Sequence, residues 1–229
     1  MPADLQSIAD PQFIVLAWAA GLAAVAGAVT LSRIVGPGFT WLSAGVAALL
    51  SAPGALATAG WPARAALALI AVAVVTARNH PIPAAALFLG AVLLAVQAFS
   101  GSGPLPSLTA ALALGGVTGE MMLGHWYLID PRLPRAALRG IAVVGTVGLI
   151  ADGLMLSSAI LPGGGSTVAY WVLLATSVGL MAAVVAALRY PAYSGVMAAT
   201  GLSYLAVLTT LGSVFLGRAL VAGLGPFTT

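Results

Sequence analysis

FIVLAWAAGLAAVAGAVTLS, residues 13–32, carries no charged side chain in twenty positions. At 1.5 Å of rise per residue, about 20 apolar residues cross the roughly 30 Å of a bilayer's hydrocarbon. The stretch reads as a membrane-spanning helix, and the pattern recurs along the chain. Seven further stretches qualify or nearly so: 39–58, 62–77, 83–100, 107–129, 139–161, 167–188 and 193–217. Short turn-like dividers separate many of them, among them Gly36-Pro37-Gly38, Ser100 to Pro104, Pro131 to Pro134, Pro162 to Gly165, and Arg189-Tyr190-Pro191. The third stretch is the shortest, because Arg64 and Arg78 bracket it. The expected fold class is all-α: a polytopic transmembrane helix bundle of about eight spans.

Composition points the same way. The 229 residues are 61% hydrophobic and only 6% charged, with a mean hydropathy of +1.11. So few charges cannot clothe a soluble surface, so the surplus apolar residues are expected to face lipid. Connections of a handful of residues leave no room for an extramembrane domain, which makes 1–229 one integral membrane domain. The opening MPADLQSIADPQ has no basic residue, so the first span is expected to be retained, not cleaved as a signal peptide.

The chain has no cysteine, which excludes thiol relays, iron–sulfur clusters held by its own thiolates and cysteine-type zinc sites. All eight of its Lys and Arg residues are arginine, which excludes a lysine Schiff base. The arginines are mostly scattered singly through hydrophobic sequence, as orientation signals are, and form no nucleic-acid-binding patch. With eight spans and the N-terminus outside, Arg33, Arg78, Arg132, Arg135, Arg139 and Arg189 fall in the cytoplasm and only Arg64 and Arg218 outside. Omitting the third span and starting inside gives the same split with Arg33 and Arg64 exchanged. The acidic N-terminal tail favours the first arrangement. Both put 130–138 in the cytoplasm and the C-terminus outside, in the cell's inner (plasma) membrane.

Segments 76–99 and 187–211 echo each other, each running from a helix end through Arg and Pro into a new helix. They point to possible parallel repeat halves, 1–105 and 106–229.

Ionisable groups inside hydrocarbon are functional candidates by default. Glu120 and Asp152 qualify as the catalytic pair. Counted from the expected helix ends their depths differ by roughly 5 Å, which would let them handle a proton together. Gly116 and Gly124 flank Glu120 at helical spacing, and Gly145 and Gly148 precede Asp152, so both carboxylates are expected on faces open to close approach. His125, Trp126 and Tyr127 follow Glu120 in GEMMLGHWYLIDPR, and Tyr204 lies at a similar depth in the last span; these four are the expected ligand-binding residues. Arg218 is expected to snorkel outward. No metal site is expected. Haem, using His80, His125 or the neighbouring Met121 and Met122, is disfavoured, leaving a quinone as the cofactor to consider.

Three functions fit. The first is a membrane subunit of a respiratory or other redox complex, with a quinone or proton-handling site in the fifth span and redox subunits as partners. In architecture alone, with no motif shared, such a chain is similar to the quinol-oxidising anchors of the polysulfide-reductase type. The second is a proton-coupled transporter of a small, largely neutral solute. The third is a scaffold or assembly subunit without chemistry.

Overall fold

The computed structural model describes residues 9–57, 60–79, 81–130, 132–158 and 164–223. Among them every regular element is helical. The elements are α1 (Pro11–Ser32), α2 (Pro37–Ala57), α3 (Trp61–Val75), α4 (Ile82–Ser102), α5 (Pro104–Ala110), a π-helical segment (Ala111–Gly115), α6 (Gly116–Ile129), α7 (Arg135–Ser158), α8 (Gly165–Ala187) and α9 (Tyr193–Val221).

Proline and glycine set these boundaries. Pro11, Pro37, Pro62, Pro83 and Pro104 all sit in the first turn of a helix, where their missing N–H costs nothing. Asp10 caps α1 by accepting the Gln12 N–H at 3.0 Å. Gly103, at φ +85°, is the single residue between α4 and α5, a conformation that favours a residue without a Cβ.

Six helices, α1, α2, α4, α7, α8 and α9, are 21 to 29 residues long and apolar enough to cross a membrane. The two other expected spans differ from them for physical reasons. α3 has 15 residues, short of the roughly 20 that hydrocarbon demands. The 107–129 stretch is a composite of α5, the π-segment and α6, running without a gap from Pro104 to Ile129. Large apolar side chains such as Leu49, Val75, Leu154 and Leu208 point outward, so the exterior is as greasy as the interior, as a lipid-facing surface requires.

Helices α1 to α4 form one ring, each packing on the next and α4 returning to α1. The composite helix, α7, α8 and α9 form a second ring, closed by α9 on α6. The rings meet where α1 lies along the composite helix, with α2 touching α6. Glycine makes that seam possible. A Cβ on Gly21 would come within 2.0 Å of the Ala111 carbonyl oxygen, and on the other flank, inside the second ring, one on Gly148 would come within 2.4 Å of the Ala113 nitrogen. Backbone thus meets backbone on both sides of the π-segment, the small-residue packing that replaces hydrophobic drive inside lipid.

Candidate functional site

The second ring contains every acidic or basic side chain that is buried among the described residues: Glu120, Asp152 and Arg218. In α1 to α4 the buried polar groups are hydroxyls and Gln97.

Glu120 is wholly buried in α6, facing α9. Its Oε2 meets the Ser203 hydroxyl, which also lies 2.7 Å from the Ala199 carbonyl oxygen. A hydroxyl has one hydrogen. Ser203 therefore either donates to the carboxylate, or donates to Ala199 while a protonated Glu120 donates to it. The two arrangements differ only in which oxygen holds the proton. Among the described residues the other carboxyl oxygen, Oε1, has no partner, nor does the Thr200 hydroxyl beside Ser203 on the same helix. Gly124 admits Thr200 at this level, since a Cβ there would stand 2.8 Å from Thr200 Oγ1.

Asp152 sits elsewhere. Arg218 holds it with two nitrogens, Nη2 to Oδ1 at 2.7 Å and Nη1 to Oδ2 at 3.1 Å. Thr109 donates to Oδ1 at 2.6 Å, and Arg218 also donates to the Pro106 and Val214 carbonyls at 2.7 and 3.2 Å. Both charged groups are almost fully buried, at 2% and 1% exposed, so pairing is what makes their burial tolerable. Tyr170, one of whose ring carbons would stand 2.6 Å from a Cβ on Gly217, has a buried hydroxyl without a partner among the described residues.

The expected Glu120–Asp152 pair is therefore replaced by two separate centres. Gly116 lies against Gly145, Ala113 against Gly148 and Thr109 against Asp152 in antiparallel register. Glu120 is eleven positions along the composite helix from Thr109, about 16 Å at 1.5 Å per residue. The expectation failed at a boundary: α7 begins directly after Pro134, not at 139, which carries Asp152 deeper from that end. The snorkelling expected of Arg218 is likewise corrected, because Asp152 gives it a partner inside.

The other expected site residues do not gather around Glu120. His125 and Tyr204 are exposed on the outer faces of α6 and α9. Trp126 packs edge-on against Phe39, centroids 5.7 Å apart, and also closes on Gly38. Tyr127 is buried, but its hydroxyl donates to the Pro134 carbonyl at 2.6 Å and so fastens the loop between α6 and α7. His80 lies outside the described residues. Among the described residues no cluster of His, Asp or Glu could hold a metal ion.

Sequence reading gave no site role to the residue that completes each centre. Ser203 and Thr200 were visible as hydroxyls at the depth of Glu120, and their period along α9 was the usable signal. Thr200, Ser203, Thr210, Ser213 and Arg218 are all buried, giving α9 a polar inner face along most of its length. Arg218 shows the rule more simply: a buried arginine calls for a buried carboxylate.

No known protein family matches this chain, and neither does any curated protein or solved structure.

Proposed function

We propose that this chain is a multi-pass membrane protein that moves protons along the inner face of α9 in step with a small, largely neutral solute. The reading counts α3 and the composite helix as spans, eight in all, with both termini outside the inner membrane and repeat halves 1–105 and 106–229. The observation that carries it is Glu120, buried near mid-helix with one oxygen on Ser203 and the other unpartnered beside Thr200. Glu120 accepts and releases the proton, and Ser203 relays it. Ala206, fully buried between Ser203 and Thr210, closes the path in this conformation, and helix rearrangement or water entry would open it. The Asp152–Arg218 pair stands beyond as a fixed gate whose charges are already balanced.

The test is solute-dependent current on a solid-supported membrane. Proteoliposomes under a pH gradient, challenged with a panel of neutral amino acids, polyols and amides, should give currents that need both the gradient and one solute class. Glu120→Gln should fold and lose the current, because an amide keeps the shape but carries no transferable proton. Absence of any current above empty liposomes would sink the transport reading.

A redox-complex subunit is the second reading, favoured by one observation. A largely apolar groove of about 640 Å³ runs along the seam between the rings and includes Gly116, one turn from Glu120, a shape suited to an isoprenoid tail. Co-purification of a quinone with redox subunits would favour it over transport.

A further inference from the structure

Two grooves with the same construction open at one end of the bundle, one in each ring. The first, about 610 Å³, lies between α2 and α3 and is lined by Trp41, Val74, Val75 and Arg78. The second, about 330 Å³, lies between α7 and α8 and is lined by Val143, Val147, Ala182, Val185 and Arg189, with Thr146, whose hydroxyl returns to the Ala142 carbonyl. In each ring these are the second and third helices. Each arginine follows the last turn of the third helix, just before a proline that leads into the fourth. Both sit at the same end. Trp126, at the foot of α6, touches Gly38 and Phe39 at the head of α2, and Arg135, at the head of α7, donates to the backbone carbonyls of Tyr190, Pro191 and Ala192, immediately beyond Arg189.

Arg78 and Arg189 are exposed, and neither makes a side-chain hydrogen bond or ion pair among the described residues. Contrast Arg135 and Arg218, whose guanidinium groups are occupied. An apolar slot ending in an unpaired cation at the membrane rim fits an amphiphile with a fatty chain and an anionic head. Trp41 and Tyr190, exposed beside the two arginines, suit the same head-group level. A second copy of the chain approaching at this level would bring its own arginines, since Arg132, Arg139 and Arg189 are all exposed at this end, and like charge opposes that contact.

We propose that the α2–α3 and α7–α8 grooves are two binding sites for anionic phospholipid, with Arg78 and Arg189 holding the phosphates and the grooves holding acyl chains. The sites do not depend on the transport reading. Each arginine within reach of a lipid phosphate is worth about fivefold in affinity.

Native mass spectrometry of the full chain, titrated with dioleoyl phosphatidylglycerol or dioleoyl phosphatidylcholine, tests this. Two phosphatidylglycerols should be retained per chain, with phosphatidylcholine held at least fivefold more weakly. Arg78→Gln and Arg189→Gln should each weaken one site about fivefold, and the lysine versions should restore it. Arg132→Gln, at the same end but in neither groove, should change nothing. Equal retention of phosphatidylcholine would overturn the proposal. So would an Arg132→Gln effect as large as the other two, since diffuse charge would then be responsible, or competition by free glycerol phosphate at equal concentration, since the acyl chain would then be irrelevant.

Discussion

The two four-helix rings solve the same packing problem with different chemistry. In the first, the buried polar groups are uncharged and their bonds are short in sequence: Thr30 and Thr40 bond each other at 2.8 Å, and Ser51 returns to the Ala48 carbonyl at 3.1 Å. In the second, buried charge is held by contacts far apart in sequence, Asp152 to Arg218 and Glu120 to Ser203. Hydroxyls that satisfy their own helix are tolerated in lipid and indicate little. Carboxylates that rely on another helix exist only where the fold keeps both partners in place, and that is why function is assigned to the second ring.

The sharpest way to break this contrast is to remove one charge. Arg218→Leu leaves Asp152 buried and uncompensated, and should lower stability by about 3–5 kcal/mol, read as thermal or SDS unfolding of the purified protein. The double variant Asp152→Leu/Arg218→Leu should recover most of that loss, while Gln97→Leu in the first ring should cost under about 1 kcal/mol. An Arg218→Leu protein as stable as wild type would mean the pair is not formed.

Next in size is the seam where the rings join. Gly21→Ala pushes a methyl group into the Ala111 carbonyl and should cost about 3 kcal/mol in the same assay. Gly45→Ala, in α2 with nothing within 4 Å, should be neutral or stabilise by up to about 1 kcal/mol through helix propensity. Equal effects at the two glycines would remove the seam from the account of how the rings are held together.

Smaller still is Ser177→Ala, which loses the 2.8 Å bond to Thr209 between α8 and α9 and should cost about 1 kcal/mol. The least stability change is expected at the residue of greatest functional weight. Glu120→Gln retains a partner in Ser203 and should stay within about 1 kcal/mol of wild type while abolishing solute-dependent current. A large loss of stability there would recast Glu120 as a packing residue.

The helical, membrane-spanning character was legible because it depends on summed hydrophobicity, which no single residue can disguise. Two apolar stretches were harder to judge. In 62–77 the flanking arginines set the limits, but how far the helix itself extends depends on its neighbours. In 107–129 the periodic pattern gives no hint of a π-segment, because that wider turn lies where Gly21 and Gly148 bring foreign backbones against it. Glu120 and Asp152 were identifiable as buried groups from the cost of charge in hydrocarbon. Their partners were not, because pairing depends on register between helices, and moving the start of α7 by one turn replaced a carboxylate pair with a carboxylate–guanidinium pair. His125 and Tyr204 show the converse error: polar residues near a candidate in sequence or depth can still face away from it.

The 66 residues separating Asp152 from Arg218 also set a schedule during biosynthesis. At roughly 5–20 residues per second, α7 emerges from the ribosome about 3–13 s before the arginine that will neutralise its carboxylate exists. Throughout that interval the nascent chain carries an acid that has Thr109 but not yet Arg218 to meet, in a segment awaiting lateral release into lipid. Until α9 arrives, Asp152 lacks the guanidinium that balances it in the folded protein. Ribosome stalling between these codons would therefore expose the chain to membrane quality control at a point where a pause within α1 to α4, which carry no buried charge among the described residues, would not.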